Sequence, residues 1–235
     1  MIFAAGLGTR LKPWTDQHPK ALVAINGKTL LQRNIEYLQY FGIREIIINI
    51  HHFAEQVVDF LNLNHNFGCE ITISLEGAEP LETGGGLFKA AWFFGDQQPF
   101  LAMNVDILTN LHLGQMIDAH MRDRPLATIA VSDRETSRYF LFDQHKRLCG
   151  WKNVKTGENK IAFLSAIQVA KAFSGIHIID PLVFSKTSRS GKFSMVDLYL
   201  DVAASNIVMG YDHTGDLLID VGKPQSIEEA ERYFH

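Results

Sequence analysis

The sequence predicts a Rossmann-like α/β fold: a mostly parallel central sheet with helices on both faces and a small antiparallel extension. Three observations predict it. Apolar, β-rich runs alternate with helical patterns, the arrangement of parallel strands joined by crossover helices. Hairpin-like strands become more frequent in the second half. Of the 235 residues, 46% are apolar and sixteen are Phe, enough for a large core, which excludes a disordered or collagen-like chain.

The elements follow in order. Residues 2–5 form a short apolar run that ends in glycines. In 29–41, Leu31, Ile35, Leu38 and Phe41 fall on one helical face, and Gly42 supplies the stop. Strands are expected at 45–50, 70–75 and 100–105, with helices at 53–63 and 86–94 between them. A helix at 113–122 precedes strands at 127–131, 139–143 and 172–179. A helix at 196–205, a strand at 217–221 and a helix at 227–234 complete the chain. No low-complexity linker, repeat or charge block interrupts it, so 1–235 is expected to form one domain.

Charge and cysteine content exclude several function classes. Lys and Arg number 22 against 26 Asp and Glu, a formal net charge of −4. A slightly acidic chain lacks the basic face that nucleic acid or an anionic membrane needs. Any phosphate must therefore be held by a few placed cations. Cys69 and Cys149 cannot build a disulfide scaffold and read as buried or idle thiols. No apolar run approaches the length of a membrane span, and residues 1–10 carry no basic leader pattern, so a cytoplasmic protein is expected.

Ligands of open α/β sheets sit beyond the carboxyl ends of the strands. After 2–5 comes Gly6-Leu7-Gly8-Thr9-Arg10, where small residues let a ligand approach the backbone and N–H groups can cradle phosphate. A dinucleotide fingerprint would need glycine at Leu11, and a P-loop would need Gly-Lys-Ser/Thr. What stands there is GxGTRxxPxTxxxPK. It carries Arg10 and Lys20 on one loop, a planar fork and a point charge that suit a polyphosphate. Strand 100–105 runs into Asp106, and 217–219 runs into Asp220 in LIDVGKP. Two carboxylates at strand ends suit one hard cation such as Mg²⁺. Each could equally cap a turn, and spacing alone leaves the two readings even. Strand 70–75 leads into EGAEPLETGGG, whose glycine triplet at a helix start offers backbone donors.

The segment AAGLGTRLKPWTDQHPKAL resembles the signature loop of sugar-1-phosphate nucleotidyltransferases. The similarity continues through EPLETGGG, Asp106 and LIDVGKP, notably toward the short uridylyltransferase members. The resemblance implies the nucleotide-diphospho-sugar transferase fold. It also implies an enzyme that moves a nucleotidyl group from a nucleoside triphosphate, UTP foremost, to a sugar 1-phosphate and releases pyrophosphate. Arg10 and Lys20 would act on the transferred phosphates. Ala4, Ala5, Gly6, Leu7, Gly8, Thr9, Glu76, Thr83 and Gly84 would contact the nucleotide. Gly85, Asn104, Gly150, Asn153 and Ser174 would line the sugar side, and Asp106 and Asp220 would hold Mg²⁺.

Some positions depart from the family pattern. Val105 stands where Gly is usual, Lys223 where Thr is usual, and Lys152-Asn153 where many relatives have an acidic residue. Relatives often carry Gln at position 76. An ionised Glu76 only accepts hydrogen bonds, which favours uracil or guanine, bases with a ring N–H. Three alternatives remain open: guanylyl transfer to mannose or heptose 1-phosphate, cytidylyl transfer to a phosphorylated alcohol, and a catalytically silent nucleotide-sugar sensor. His51-His52 reads as solvated loop, because adjacent strand side chains point to opposite faces. Trp92-Phe93-Phe94 reads as helix core.

Overall fold

Isoleucine-rich runs build the parallel sheet. In this computed structural model, which describes residues 1–77, 79–95 and 98–235, the chain packs as two units. The first comprises Met1–Glu82, Met103–Asn110 and Leu217–His235; the second comprises Thr83–Ala102 and Leu111–Asp216. Ala78, within the predicted loop after strand 70–75, lies outside the described residues.

In the first unit, Glu70–Leu75, Glu45–Ile50, Ile2–Phe3 and the 103–104 end of Phe100–Asn104 lie side by side, all parallel. Ile46, Ile47, Ile48 and Ile50 are buried, as a strand covered on both faces requires. Helix Leu30–Tyr40 turns Leu31, Ile35 and Leu38 inward. Its first turn is capped by the Thr29 side chain, which accepts from Gln32 N. It stops at Gly42, whose φ of 81° is left-handed. Helix Ala54–Leu63 is the next crossover. The predicted strand 217–221 is found as Leu218–Asp220, and it pairs antiparallel with Ile107–Thr109, a strand the sequence did not announce.

Antiparallel pairing dominates the second unit. Asn159–Ile161, Leu148–Asn153, Arg138–Phe142, Val169–Ile179 and Ala127–Ser132 lie in that order, and Val208–Asp212 closes the edge by pairing parallel to Ala127–Ser132. Helices Leu113–Asp123 and Met195–Ala203 belong to this unit, the latter opened by a Ser194/Asp197 capping box. The predicted α/β class holds, with parallel strands concentrated in the first unit and the antiparallel extension in the second.

One prediction is corrected here. The helix expected at 86–94 is instead Glu82–Lys89 followed by a separate 3₁₀ turn, Ala91–Phe93. The helix begins early because the Phe193 carbonyl accepts from both Gly84 N and Gly85 N, satisfying first-turn amides. Trp92-Phe93-Phe94 is consequently no helix core. Trp92 is 68% exposed, while Phe94 stacks on Phe100 with ring centroids 3.8 Å apart.

Candidate active site

The site is built at the end of strand Ile2–Phe3. Ala4 N donates to the Asn49 carbonyl at 3.2 Å and to Asn49 Oδ1 at 2.9 Å, which fixes the point where the strand becomes a loop. Ala4 and Ala5 are buried, whereas Gly6 and Leu7 are exposed. Among the described residues, no atom beyond its chain neighbours comes within 4 Å of where a Cβ on Gly6 would sit. The loop then tightens at Gly8. Its φ of 61° is left-handed, and a Cβ there would lie 2.9 Å from Thr15 Cγ2 and 3.0 Å from Lys20 Cβ. Leu11 N and the Thr15 hydroxyl both donate to its carbonyl, at 2.8 and 3.0 Å. Only glycine meets both the conformation and the space. Thr9 and Arg10 follow, exposed, on the 3₁₀ turn Thr9–Leu11.

Lys20 is only 8% exposed, and its Nζ is paired with Asp106 Oδ2. An ammonium so buried is tenable only with such a counter-charge. Asp106 is held by the backbone on both sides. Asn34 Nδ2 donates to the preceding Val105 carbonyl at 2.9 Å, and Val221 N donates to the Asp106 carbonyl at 2.8 Å. Asp220 pairs with Ile107 across the short antiparallel ladder. The two aspartates, 114 positions apart in a chain numbered to 235, thus sit on adjoining strand ends. Gly222 completes this corner. A Cβ on it would lie 2.5 Å from Arg10 Nη2 and 2.8 Å from Asp220 Oδ1, so guanidinium and carboxylate both come against the missing side chain.

Glu76 is also in this unit. It is 3% exposed. Its Oε1 accepts from Asn49 Nδ2 at 2.6 Å and its Oε2 from Leu81 N at 2.7 Å. Each oxygen thus already accepts from a protein donor in a buried setting, a pair of bonds that would be costly to lose. Asn104, at the end of its strand, is half-buried and lies opposite Phe3.

The predicted residues of the second unit are engaged within it. Thr83 Oγ1 accepts from Met195 N at 3.1 Å, and the Gly84 and Gly85 amides are spent on Phe193. A Cβ on Gly150 would lie 2.8 Å from the Lys160 carbonyl, so that glycine serves close strand pairing. Asn153 Oδ1 accepts from Lys155 N at 3.0 Å and shapes the turn that follows. Ser174 is fully buried, 2.7 Å from His213 Nε2. Burial lowers the pKa of His213 despite two nearby aspartates, Asp216 and Asp212. The expected ligand residues Thr83, Gly84, Gly85, Gly150, Asn153 and Ser174 all lie in this unit. Each of these groups already has a structural partner that holds it or fills its space.

Comparisons with known proteins identify the family. The family described as nucleotidyl transferase matches residues 1–146. N-acetylmuramate alpha-1-phosphate uridylyltransferase of Caulobacter vibrioides is 30% identical over 98% of this chain and 94% of its own. The chain belongs to the nucleotidyl transferase family. A mannose-1-phosphate guanyltransferase of Yarrowia lipolytica is 27% identical over 96% of this chain, which spans 61% of that enzyme. The structure of apo UDP-glucose pyrophosphorylase superposes with a TM-score of 0.79 over 99% of this chain and 96% of its own, at 16% identity, a likeness that shows the fold.

For a nucleotidyl transferase the donor set is chemically apt. Among the described residues no cluster of three His, Cys, Asp or Glu side chains is placed to hold a metal. Mg²⁺ does not need one, because it binds through one or two carboxylates and completes its octahedron with phosphate oxygens and water. Asp106 and Asp220 on adjoining strand ends supply that number. His51 and His52 lie in the turn after Glu45–Ile50, half-buried and exposed respectively. Sequence reasoning missed Asn49 and Asn34 and gave Gly222 no role. A signal for Asn49 was present: it is a lone polar residue near the end of an otherwise isoleucine strand, EIIINI.

Proposed function

We propose that this nucleotidyl transferase moves the uridylyl group of UTP to a sugar 1-phosphate, with Mg²⁺ held by Asp106 and Asp220. The single observation that carries the reading is the convergence of Arg10, Lys20, Asp106 and Asp220 beside an open glycine loop. When bound, Mg²⁺ supplies Lewis-acid neutralisation of phosphate charge. The rest falls to the chain. The sugar-phosphate oxygen attacks the α-phosphorus, the bond to the β-phosphate oxygen breaks, and pyrophosphate leaves. Such transfer needs in-line positioning and stabilisation of spreading charge more than covalent help from protein. Arg10 and Lys20 provide fixed positive charge for the transferred and departing phosphates. The exposed backbone at Gly6 and Leu7 gives the triphosphate a surface without side-chain obstruction. No general base is required, because a phosphate monoester is already anionic near neutrality. Asn104 is the residue we assign to the ribose or sugar side.

The choice of UTP rests on the 30% identical uridylyltransferase, which this chain matches nearly end to end. Guanylyl transfer is the second reading, supported by relatives such as the Yarrowia lipolytica guanyltransferase. Pyrophosphate release from each of four triphosphates with a panel of sugar 1-phosphates, N-acetylmuramate 1-phosphate among them, tests both. Turnover with UTP is expected. A preference for GTP would transfer the assignment to the second reading, and no turnover with any pair would end both.

A further inference from the structure

Glu76 is buried with a protein donor on each oxygen, which points to a second role. Three consecutive parallel strands end side by side in the first unit, and a chain of buried hydrogen bonds ties their ends together. Leu81 N donates to Glu76 Oε2 at 2.7 Å. Asn49 Nδ2 donates to Glu76 Oε1 at 2.6 Å. Asn49 Oδ1 in turn accepts from Ala4 N at 2.9 Å. Glu76 and Asn49 are 3% and 2% exposed, so neither can exchange its partner for water. The backbone of Glu76 is tied to the neighbouring strand as well, since Glu76 N donates to the Ile50 carbonyl at 2.8 Å. The last link, Ala4, is the residue from which the glycine loop springs.

We infer that Glu76 is a positioning residue: acting through Asn49, it sets the backbone at Ala4 and hence the presentation of the loop to the triphosphate, and it does not select the base. The inference rests on the nucleotide reading proposed above. The charge on Glu76 matters for a specific reason. Two donors, an amide NH₂ and a backbone N–H, point at its two oxygens, and only a carboxylate accepts at both. Glutamine at 76 would turn an NH₂ group toward one of those donors. The defect can be undone by reversing the bond. With Asn49→Asp and Glu76→Gln together, Asp at 49 accepts from Ala4 N with one oxygen and from Gln Nε2 with the other. The Gln carbonyl then accepts from Leu81 N. Every hydrogen bond of the chain is restored, with donor and acceptor exchanged only between positions 49 and 76. Asn49→Asp alone places two carboxylates face to face in a buried site and should be the worst of the three.

The test is binding of UTP, CTP, GTP and ATP to the wild-type protein and to Asn49→Asp, Glu76→Gln and the double variant, by calorimetry, with thermal melts alongside. Glu76→Gln should weaken every triphosphate by a similar factor, about tenfold, and leave the ratios between bases within about twofold of wild type. The double variant should return to within about threefold of wild type, a coupling the single variants cannot mimic. A change in the UTP-to-CTP ratio in Glu76→Gln would overturn the inference in favour of direct base reading. A double variant that melts like wild type yet binds as weakly as Glu76→Gln would also overturn it. So would a lowered melting temperature with unchanged binding, which is the mark of a structural brace alone. These readouts are independent of turnover, so a protein that binds triphosphates but transfers nothing would refute the proposed activity while leaving the positioning role standing.

Discussion

Gly6-Leu7-Gly8 and Gly84-Gly85-Gly86 look alike in the sequence, each a glycine cluster at the head of a helical turn. The structure gives them opposite work. Around Gly6 there is open space, and only Gly8 is pressed by neighbours. Gly84 is the reverse: a Cβ there would come 2.5 Å from Phe193 Cδ2 and 2.9 Å from the Phe193 carbonyl, and its amide is already bonded to that carbonyl. Glycine thus marks a close approach without saying what approaches. In the first unit it leaves room for a ligand, and in the second it admits the chain's own backbone. The charged groups divide the same way. Those at 10, 20, 106 and 220 gather at one corner of the first unit, while ions of the second unit, such as Lys171 between Asp133 and Asp212, satisfy one another.

The largest expected effect breaks the comparison if it fails. Asp106→Ala or Asp220→Ala should lower kcat by at least about 10²-fold, on the order of 3 kcal/mol, because the ion they hold would be lost or displaced. Steady-state kinetics in saturating Mg²⁺ decide the matter, and near-normal turnover of Asp220→Ala would remove the two-aspartate site. Arg10→Ala comes next. It should depress kcat by roughly tenfold or more, with little change in KM for the sugar phosphate, because its charge serves the transferred phosphates. Unchanged kcat with only a raised sugar KM would place Arg10 elsewhere.

The two glycine clusters can be set against each other directly. Gly84→Ala should cost about 1–3 kcal/mol of stability, because its methyl meets both a ring and a backbone carbonyl. Gly6→Ala should melt within about 0.5 kcal/mol of wild type, yet raise KM for the triphosphate. Melts and kinetics on the same two preparations suffice. A stable Gly84→Ala protein that has lost nucleotide binding would return the triplet to the ligand.

Much of this was legible beforehand where physics is local. Strands 45–50 and 70–75 match residue for residue, since an isoleucine run and an alternating run each carry their own strand signal. Helix 29–41 is found one residue shorter at each end, because its apolar face and its glycine stop lie in the same short stretch. Two of the missed strands share a cause. Leu148–Asn153 and Val208–Asp212 each carry a glycine, at 150 and 210, which reads as a breaker. In the fold a Cβ at Gly210 would lie 2.8 Å from Phe142 Cε1, and the one at Gly150 would strike a facing carbonyl, so both are close-packing positions. Of the site, the charged residues could be named from their motifs. The partners that position them could not, because Asn49 meets Glu76 and Gly222 comes against Arg10 only once distant segments are folded together.

The smallest effect sharpens the division between the units. The carboxyl of Asp212 is partly buried, which alone would raise its pKa. Hydrogen bonds from Lys171 and Thr214, with the Lys171 charge, outweigh this and hold it at about 2. Its folded pKa is therefore below the unfolded value of about 3.9. Between those values the unfolded chain binds more protons than the folded one. The stabilisation is complete above about pH 4 and is lost as pH falls toward 2. Because Asp212 is a third exposed, solvent screening keeps the contribution below about 1 kcal/mol. Asp212→Asn should accordingly flatten the acid limb of a melting-temperature profile relative to wild type, and added salt should shrink the difference. At neutral pH its kcat should match wild type, since no ion of that network is assigned to the chemistry. A loss of turnover in Asp212→Asn at unchanged melting temperature would mean that the charges of the second unit serve the reaction after all.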